Sequence, residues 1–393
     1  DEPTTALDVT IQKQVIELMH KLQDDFKTSI LFITHDLGVI ADISDEVFVM
    51  YKGRIVEKNR TDRLFEAAKH PYTKGLIACR PHLDYNPKRL MTVHDYLDDK
   101  GNAIEPTISP VSIDEYKLAK NVEDNEVLLE IKNVKKYFPI RGGIFRRNVG
   151  WVKAVDDVSF VVKKGQTLGL VGESGCGKTT LGRTIVRLYR PTAGQIIFKG
   201  QDITTMSTNE LRPLRKKIQI IFQNPYGSLN PRHTIGEIVT EPMKINNILD
   251  SPKDRLDEAA RLMEKVGLNA SHLSRYAHEF SGGQRQRICI ARALTLNPEL
   301  IICDESVSAL DVSIQASVLN LLLDLQDEFG LTYIFISHDL SVVKFVSDQV
   351  GVMNEGKLVE FADFKSVYEN PQQDYTRKLL DAIPKGIPNP SSL

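Results

Sequence analysis

The sequence predicts an α/β fold: a mostly parallel sheet flanked by helices and fed by a phosphate-binding loop. Three observations carry that expectation. An apolar run, Thr167-Leu168-Gly169-Leu170-Val171, leads straight into Gly172-Glu173-Ser174-Gly175-Cys176-Gly177-Lys178-Thr179. Further strand-length apolar runs end in chemistry-bearing residues: 218–222 before Gln223, 300–303 before Asp304-Glu305, and 333–337 before His338. Stretches of helical periodicity separate them, and strands alternating with helices imply a parallel sheet covered on both faces.

In chain order, residues 11–26 place apolar side chains at helical spacing, and 29–34 (Ser-Ile-Leu-Phe-Ile-Thr) read as a buried strand. Residues 77–126 read as a linker, with Pro81, Pro87, Pro106 and Pro110 and no sustained periodicity. From 84 to 126 it holds ten acids against five Lys/Arg, which suits a solvated tether. A strand is expected at 127–131, the buried strand at 167–171, and a helix over 179–188. Residues 251–296 are rich in charged and helix-forming residues, with helices expected at 254–266 and 284–294, a helical subdomain inserted before the Asp304-Glu305 strand. A short tail, 383–393, follows.

The end of this pattern occurs twice. A shift of 303 residues sets Asp1-Glu2 on Asp304-Glu305, Ala6-Leu7-Asp8 on Ala309-Leu310-Asp311, His35 on His338, Gly53 on Gly356, and Tyr72-Thr73 on Tyr375-Thr376, without a gap. The division expected is therefore 1–76, the rear of a first copy lacking its front; 77–126, the linker; and 127–382, a complete second copy.

Composition excludes several classes. The chain of 393 residues is too long for one core. A net charge of −2 gives no electrostatic case for binding nucleic acid. Cys79, Cys176, Cys289 and Cys303 are widely spaced, which suggests neither a zinc site nor a disulfide framework. No apolar stretch approaches the roughly 18–20 residues that span a bilayer, so any membrane role goes through a partner.

The chemistry is legible motif by motif. Glycines at 172, 175 and 177 let backbone N–H groups turn toward the β- and γ-phosphates of ATP, and the helix that follows points its positive end at them. Lys178 adds a compact cation, and the Thr179 hydroxyl, with Thr180 beside it, suits Mg²⁺. Asp304 at a strand tip can hold the Mg²⁺ shell, and Glu305 can polarise the attacking water. His338, whose neutral imidazole could orient that water, recurs as His35 at the same spacing. Gln223 can reach metal and water. The loop after it, 224–231, holds two prolines and is expected to expose Tyr226 and Leu229 as a docking surface. Ser281-Gly282-Gly283-Gln284 open a helix and suit either a cap or a phosphate from outside the domain. Cys176, near a helix N-terminus, is expected to have a lowered thiol pKa and to be alkylated unless ATP shields it.

Together these residues resemble the ATP-binding cassette of ABC transporters. The likeness is strongest to the ATPase subunits of bacterial dipeptide, oligopeptide, nickel and glutathione importers. It rests on 223–226 (Gln-Asn-Pro-Tyr), 278–287, 309–313 and the His70-Pro71-Tyr72-Thr73 tail with its echo at 374–376. The resemblance implies a P-loop NTPase cassette with an inserted helical subdomain and an antiparallel β part, present as one partial and one complete copy. It implies an ATPase with ATP and Mg²⁺ as cofactors. Asp1 and Asp304 with Thr179 and Gln223 would hold the metal, and Glu2, Glu305, His35, His338 and Gln223 would serve catalysis. Residues 172–180 would bind phosphate, Phe138 would stack on adenine, Ser281–Gln284 would be the signature and Asp311 the D-loop. The implied partners are permease subunits at the Tyr226 loop, a second cassette in a head-to-tail dimer and, indirectly, an extracytoplasmic solute-binding protein, at the cytoplasmic face of the inner membrane. Pro3 stands where the second copy has Ser306, and no cysteine lies between Cys79 and Cys176, so no iron–sulfur site is expected. The rival reading, a soluble two-cassette ATPase acting on ribosomes, fits poorly with an acidic, proline-punctuated linker.

Overall fold

The structure, a computed structural model, describes residues 2–4, 9–81, 87–98, 100–106, 112, 126–142, 147–308 and 310–383. Asp1, residues 6–8, Ala309 and nearly all of the expected tail lie outside the described residues.

Residues 9–81 form α1 (Val9–Phe26), α2 (Leu37–Ile43), a hairpin of β1 (Glu46–Tyr51) and β2 (Arg54–Arg60), α3 (Thr61–Glu66) and α4 (Pro71–Ala78). The longer part begins with β3 (Val127–Gly142) and β4 (Arg147–Lys163), followed by β5 (Thr167–Val171) and α5 (Lys178–Ile185). Next come β6 (Ala193–Phe198), β7 (Gln201–Asp202), α6 (Thr208–Lys217), β8 (Ile218–Ile221) and the short α7 (Pro225–Ser228). Helices α8 (Ile235–Ile245), α9 (Pro252–Lys265) and α10 (Gly282–Leu294) precede β9 (Leu300–Asp304), α11 (Val312–Phe329) and β10 (Thr332–Ile336). The order closes with α12 (Leu340–Val346), β11 (Gln349–Asn354), β12 (Lys357–Asp363), α13 (Phe364–Glu369) and α14 (Asp374–Asp381).

Six strands make the central sheet in the order β12-β11-β5-β10-β9-β8, parallel except for the edge strand β12. Every residue of β5, β9 and β10 is buried, as their unbroken apolar runs require of strands covered on both faces. Because these strands run parallel, the segments that follow Val171, Asp304 and Ile336 all emerge at one edge of the sheet. That is where a parallel sheet builds its sites. A second, antiparallel sheet, β4-β3-β6-β7, packs its apolar face on α5 through Leu128, Ile131, Val155, Phe160, Leu181 and Ile185. Helices α9 and α10 fall within the insertion expected before β9, and with α8, which precedes it, they share a core with α11.

Residues 29–34 do not form the expected strand: no strand ladder includes the segment among the described residues, and Leu31 is 86% exposed. Its counterpart β10 lies between β5 and β9, with Ile334 facing Leu168 and Ile302. A strand is defined by its neighbours, and none flanks 29–34 among the described residues.

Beyond that segment the 303-residue shift holds element by element. The bounds of α2 fall on those of α12, β1 on β11, β2 on β12, α3 on α13 and α4 on α14. Detail repeats too. Glu2 and Glu305 both take positive φ, 44° and 48°, and their N–H groups donate to Ile33 and Ile336 carbonyls at 2.8 and 3.0 Å. Asp36 and Asp339 each cap the next helix. A bulge falls at Val49/Met50 in one hairpin and at Val352/Met353 in the other.

The first stretch of the expected tether is packed rather than solvated. Leu90 is buried in the core of the longer part, and Asn320 on α11 brackets its backbone: Leu90 N donates to Asn320 Oδ1 at 2.9 Å, and Asn320 Nδ2 donates to Leu90 O at 2.8 Å. Thr92 and Asp95 close a capping box over the 3₁₀ turn Val93–Asp95, which packs on α4. Asn320→Leu leaves both Leu90 groups buried without partners, a cost of about 2–6 kcal/mol at roughly 1–3 each. Chemical denaturation should register that loss, and cleavage by added protease should rise at 87–98.

Candidate active site

Where β5 ends, the chain turns through a loop built on three glycines with positive φ, at Gly172 (142°), Gly175 (81°) and Gly177 (110°). At two of these a side chain is excluded outright: a Cβ on Gly172 would stand 2.2 Å from the Met353 carbonyl oxygen, and one on Gly177 2.1 Å from that of Ala154. The loop wraps the buried Lys178, whose Nζ donates to the carbonyl oxygens of Gly172 at 2.6 Å and Glu173 at 2.8 Å. Helix α5 starts at Lys178 and presents its positive end to the loop. Thr179 and Thr180 lie in its first turn.

Beside it stands the tip of β9. Thr179 Oγ1 donates to Asp304 Oδ1 at 2.7 Å. The other oxygen, Oδ2, is buried and accepts no hydrogen bond among the described residues; Arg183 Nη2 stands 3.8 Å away. Burial pushes the Asp304 carboxyl up, against the lowering pull of Thr179 and Arg183. A buried carboxylate oxygen that accepts no hydrogen bond, next to a hydroxyl and within an oxygen-donor set, fits a hard divalent cation such as Mg²⁺.

Glu305 sits one residue on and draws in two of the expected side chains. Gln223 Nε2 donates to Glu305 Oε2 at 2.6 Å, and His338 Nδ1 lies 3.9 Å from the same oxygen. The imidazole, more than offsetting burial, holds Glu305 below the usual carboxylate range, with Gln223 adding to the effect. Burial disfavours the charged imidazole, yet Glu305 and Asp339 outweigh it and raise His338.

Other expected residues lie farther out. Phe138 on β3 packs edge-on against Tyr189, ring centroids 5.5 Å apart, with Lys136 Nζ 4.8 Å from its centroid. Ser281 and Gln284 close a capping box at the start of α10, so their hydrogen bonds go to each other and not to the phosphate loop. Asp311 is the N-cap residue of α11. In the first copy Glu2 and His35 meet at 2.9 Å.

Two expectations fail here. Leu229 is buried in the core shared with α8 to α10, leaving Tyr226, 64% exposed, as the apolar group the loop displays. Asn224 caps α7, Arg292 Nη1 donates to the Ser228 carbonyl at 2.5 Å, and the Arg285 guanidinium lies 3.6 Å from the centre of the Tyr226 ring. Cys176 is also buried, and desolvation pushes its thiol up despite Lys178. The helix end does not win. The other thiols rise further by burial, Cys289 to about 11 and Cys79 and Cys303 to about 12. At neutral pH Cys289 carries on the order of a hundredfold less thiolate than a free cysteine, and Cys79 and Cys303 on the order of a thousandfold less. Iodoacetamide should therefore label none of the four appreciably in the native protein, followed by mass spectrometry. Rapid labelling at Cys176 would show that the loop opens.

Sequence reasoning missed two contacts. Arg183 faces Asp304, and the Tyr375 hydroxyl of α14 accepts from the Glu173 N–H at 3.2 Å. Local spacing signals neither.

The geometry meets its match among known proteins. A family model described as "ABC transporter" matches residues 155–308, and another, "Oligopeptide/dipeptide transporter, C-terminal region", matches 56–99 and again 359–391. The glutathione import ATP-binding protein GsiA of Escherichia coli K12 is 49% identical over 395 residues, 99% of this chain. Over residues 155–308 the chain is similar to the ABC transporter family. GsiA of Shigella sonnei matches to the same extent, and the chain spans 61% of the length of either relative. The dimeric ATP-binding cassette MJ0796 bound to ADP and Pi is 27% identical with a TM-score of 0.54, over 60% of this chain and 99% of that one. CbiO1 of Clostridium perfringens, part of a cbiONQ transporter complex, gives 25% and 0.53 over 62% and 92%. No helix of the described residues is long and apolar enough to cross a membrane.

Proposed function

We propose that this chain is ATP-hydrolysing machinery of an importer for glutathione, peptides or similar small solutes, acting at the cytoplasmic face of the inner membrane. The observation that carries the reading is the convergence of Gln223, Glu305 and His338 beside Thr179 and Asp304, at the sheet edge that also carries the phosphate loop. In this reading residues 172–180 bind the phosphates and Phe138 stacks on the adenine. Thr179, Asp304 and Gln223 would hold Mg²⁺, which when bound neutralises charge on the β- and γ-phosphates. Glu305, held ionised, accepts a proton from the attacking water, and Gln223 and His338 fix its carboxylate and the water in line. Glu2 and His35, with Asp1, would do the same in a first cassette of which 1–76 is the rear part. The element-by-element echo and the double match of the C-terminal family region support that division.

We further assign Ser281–Gln284 and Asp311 to a head-to-tail contact with another cassette, and the Tyr226 loop to a permease. The dimeric MJ0796 cassette supports the first, and the rigid, exposed setting of Tyr226 the second. A solute-binding protein would act through the permease. The test is to hold the protein with ATP as Glu305→Gln and identify what co-purifies from detergent-solubilised cells. Permease subunits are expected; ribosomes without permease would overturn the transport reading and leave the ATPase one.

A further inference from the structure

We propose that Tyr375 is a positioning residue of the nucleotide site, tying the conformation of the phosphate loop to the docking of the C-terminal helix. The inference rests on the reading of residues 172–180 as the phosphate cradle. Two observations carry it. First, the Tyr375 hydroxyl accepts a hydrogen bond from the backbone N–H of Glu173, the residue after the first loop glycine, across 202 residues of sequence. The carbonyl of that same residue accepts from Lys178 Nζ at 2.8 Å, so residue 173 is held on one side by the loop's own cation and on the other by α14.

Second, the helix that carries Tyr375 is itself fixed to the central sheet by one carboxylate. Glu360 on β12 accepts from the N–H groups of Gln372 and Gln373 at 2.8 and 3.2 Å and from the Thr376 hydroxyl. A carboxylate taking three donors at the start of a helix orients that helix closely. The tyrosine that follows then has little freedom, and its hydroxyl meets the loop at a set height. The shorter copy builds the same clamp: Glu57 accepts from Lys69 and His70 N–H groups at 2.8 and 3.0 Å and sets Tyr72 at the position of Tyr375. The Glu and Tyr positions therefore recur together, and in the longer part the arrangement ends on the phosphate loop.

A residue that shapes the loop without touching substrate should alter affinity at the phosphate end while leaving the fold intact. Tyr375→Phe keeps the ring and removes only the hydroxyl. It is expected to speed hydrogen exchange of the Glu173 amide in the nucleotide-free protein and to weaken MgATP binding about threefold to tenfold, the range one neutral hydrogen bond supports. The melting temperature should stay close to that of the wild type. Glu360→Gln, which loosens α14 without altering Tyr375, should reproduce both effects more weakly. Unchanged exchange at Glu173 overturns the proposal, and so does faster exchange with unchanged MgATP affinity. If the wild type itself fails to bind MgATP, the nucleotide reading falls. Glu173 exchange in Tyr375→Phe then still decides whether α14 sets the loop.

Discussion

Lys178→Ala should abolish measurable MgATP binding, a loss of at least about a hundredfold. The ammonium is already desolvated, 4% exposed, and already held by two loop carbonyls. Little of its solvation therefore remains to be lost when a triphosphate arrives. Charge-assisted hydrogen bonds to phosphate are each worth roughly 1.5–3 kcal/mol, and about 2.7 kcal/mol is a hundredfold in affinity. Lys178→Arg should not rescue it, because a planar fork does not replace a compact point charge in a loop closed this tightly. Calorimetric titration with MgATP on protein shown by circular dichroism to be folded checks the point. An affinity within threefold of the wild type would remove Lys178 from the phosphate site.

Glu305→Gln should bind MgATP about as well as the wild type and turn it over on the order of 10²- to 10⁴-fold more slowly, the range of general-base assistance. The amide keeps the shape and can still meet Gln223, but it cannot take a proton. The substitution has a second signature in the unliganded protein. Glu305 is lowered from 4.5, so its contribution to stability is present above that value and is lost as pH falls through the folded pKa. His338 is raised from 6.5, so its contribution is complete below that value and is lost as pH rises through the folded pKa. The two overlap between about pH 4.5 and 6.5. Wild type and Glu305→Gln should differ most in melting temperature inside that interval and converge on either side. A pH-independent difference would mean that the His338–Glu305 pairing contributes nothing.

Much of the site was legible because its parts are local. A glycine loop after a buried strand, or two acids at a strand tip, depend on a few consecutive residues, and parallel strands then bring their ends together. What sequence misjudged depends on surroundings. The run 29–34 has the composition of β10 but no flanking strands, and Leu31 stays in solvent. Cys176 has both a helix end that lowers its pKa and burial that raises it, and only the packed structure shows that burial wins. Leu229 looked exposed beside two prolines, yet the helical insertion covers it. Tyr375 and Leu90 act across 202 and 230 residues, where periodicity carries no signal.

The Leu90–Asn320 bracket also sets a length scale. Beyond that anchor, Asp98 and Glu126 stand 28 residues apart in sequence, about 100 Å at most when fully drawn out. On the other side of the anchor, α4 sits only a dozen residues upstream of Leu90. The short part is therefore confined to a small volume around the long one, at a local concentration that short tethers place in the millimolar range. Contact between the two copies is in effect unimolecular, and dilution should not separate them.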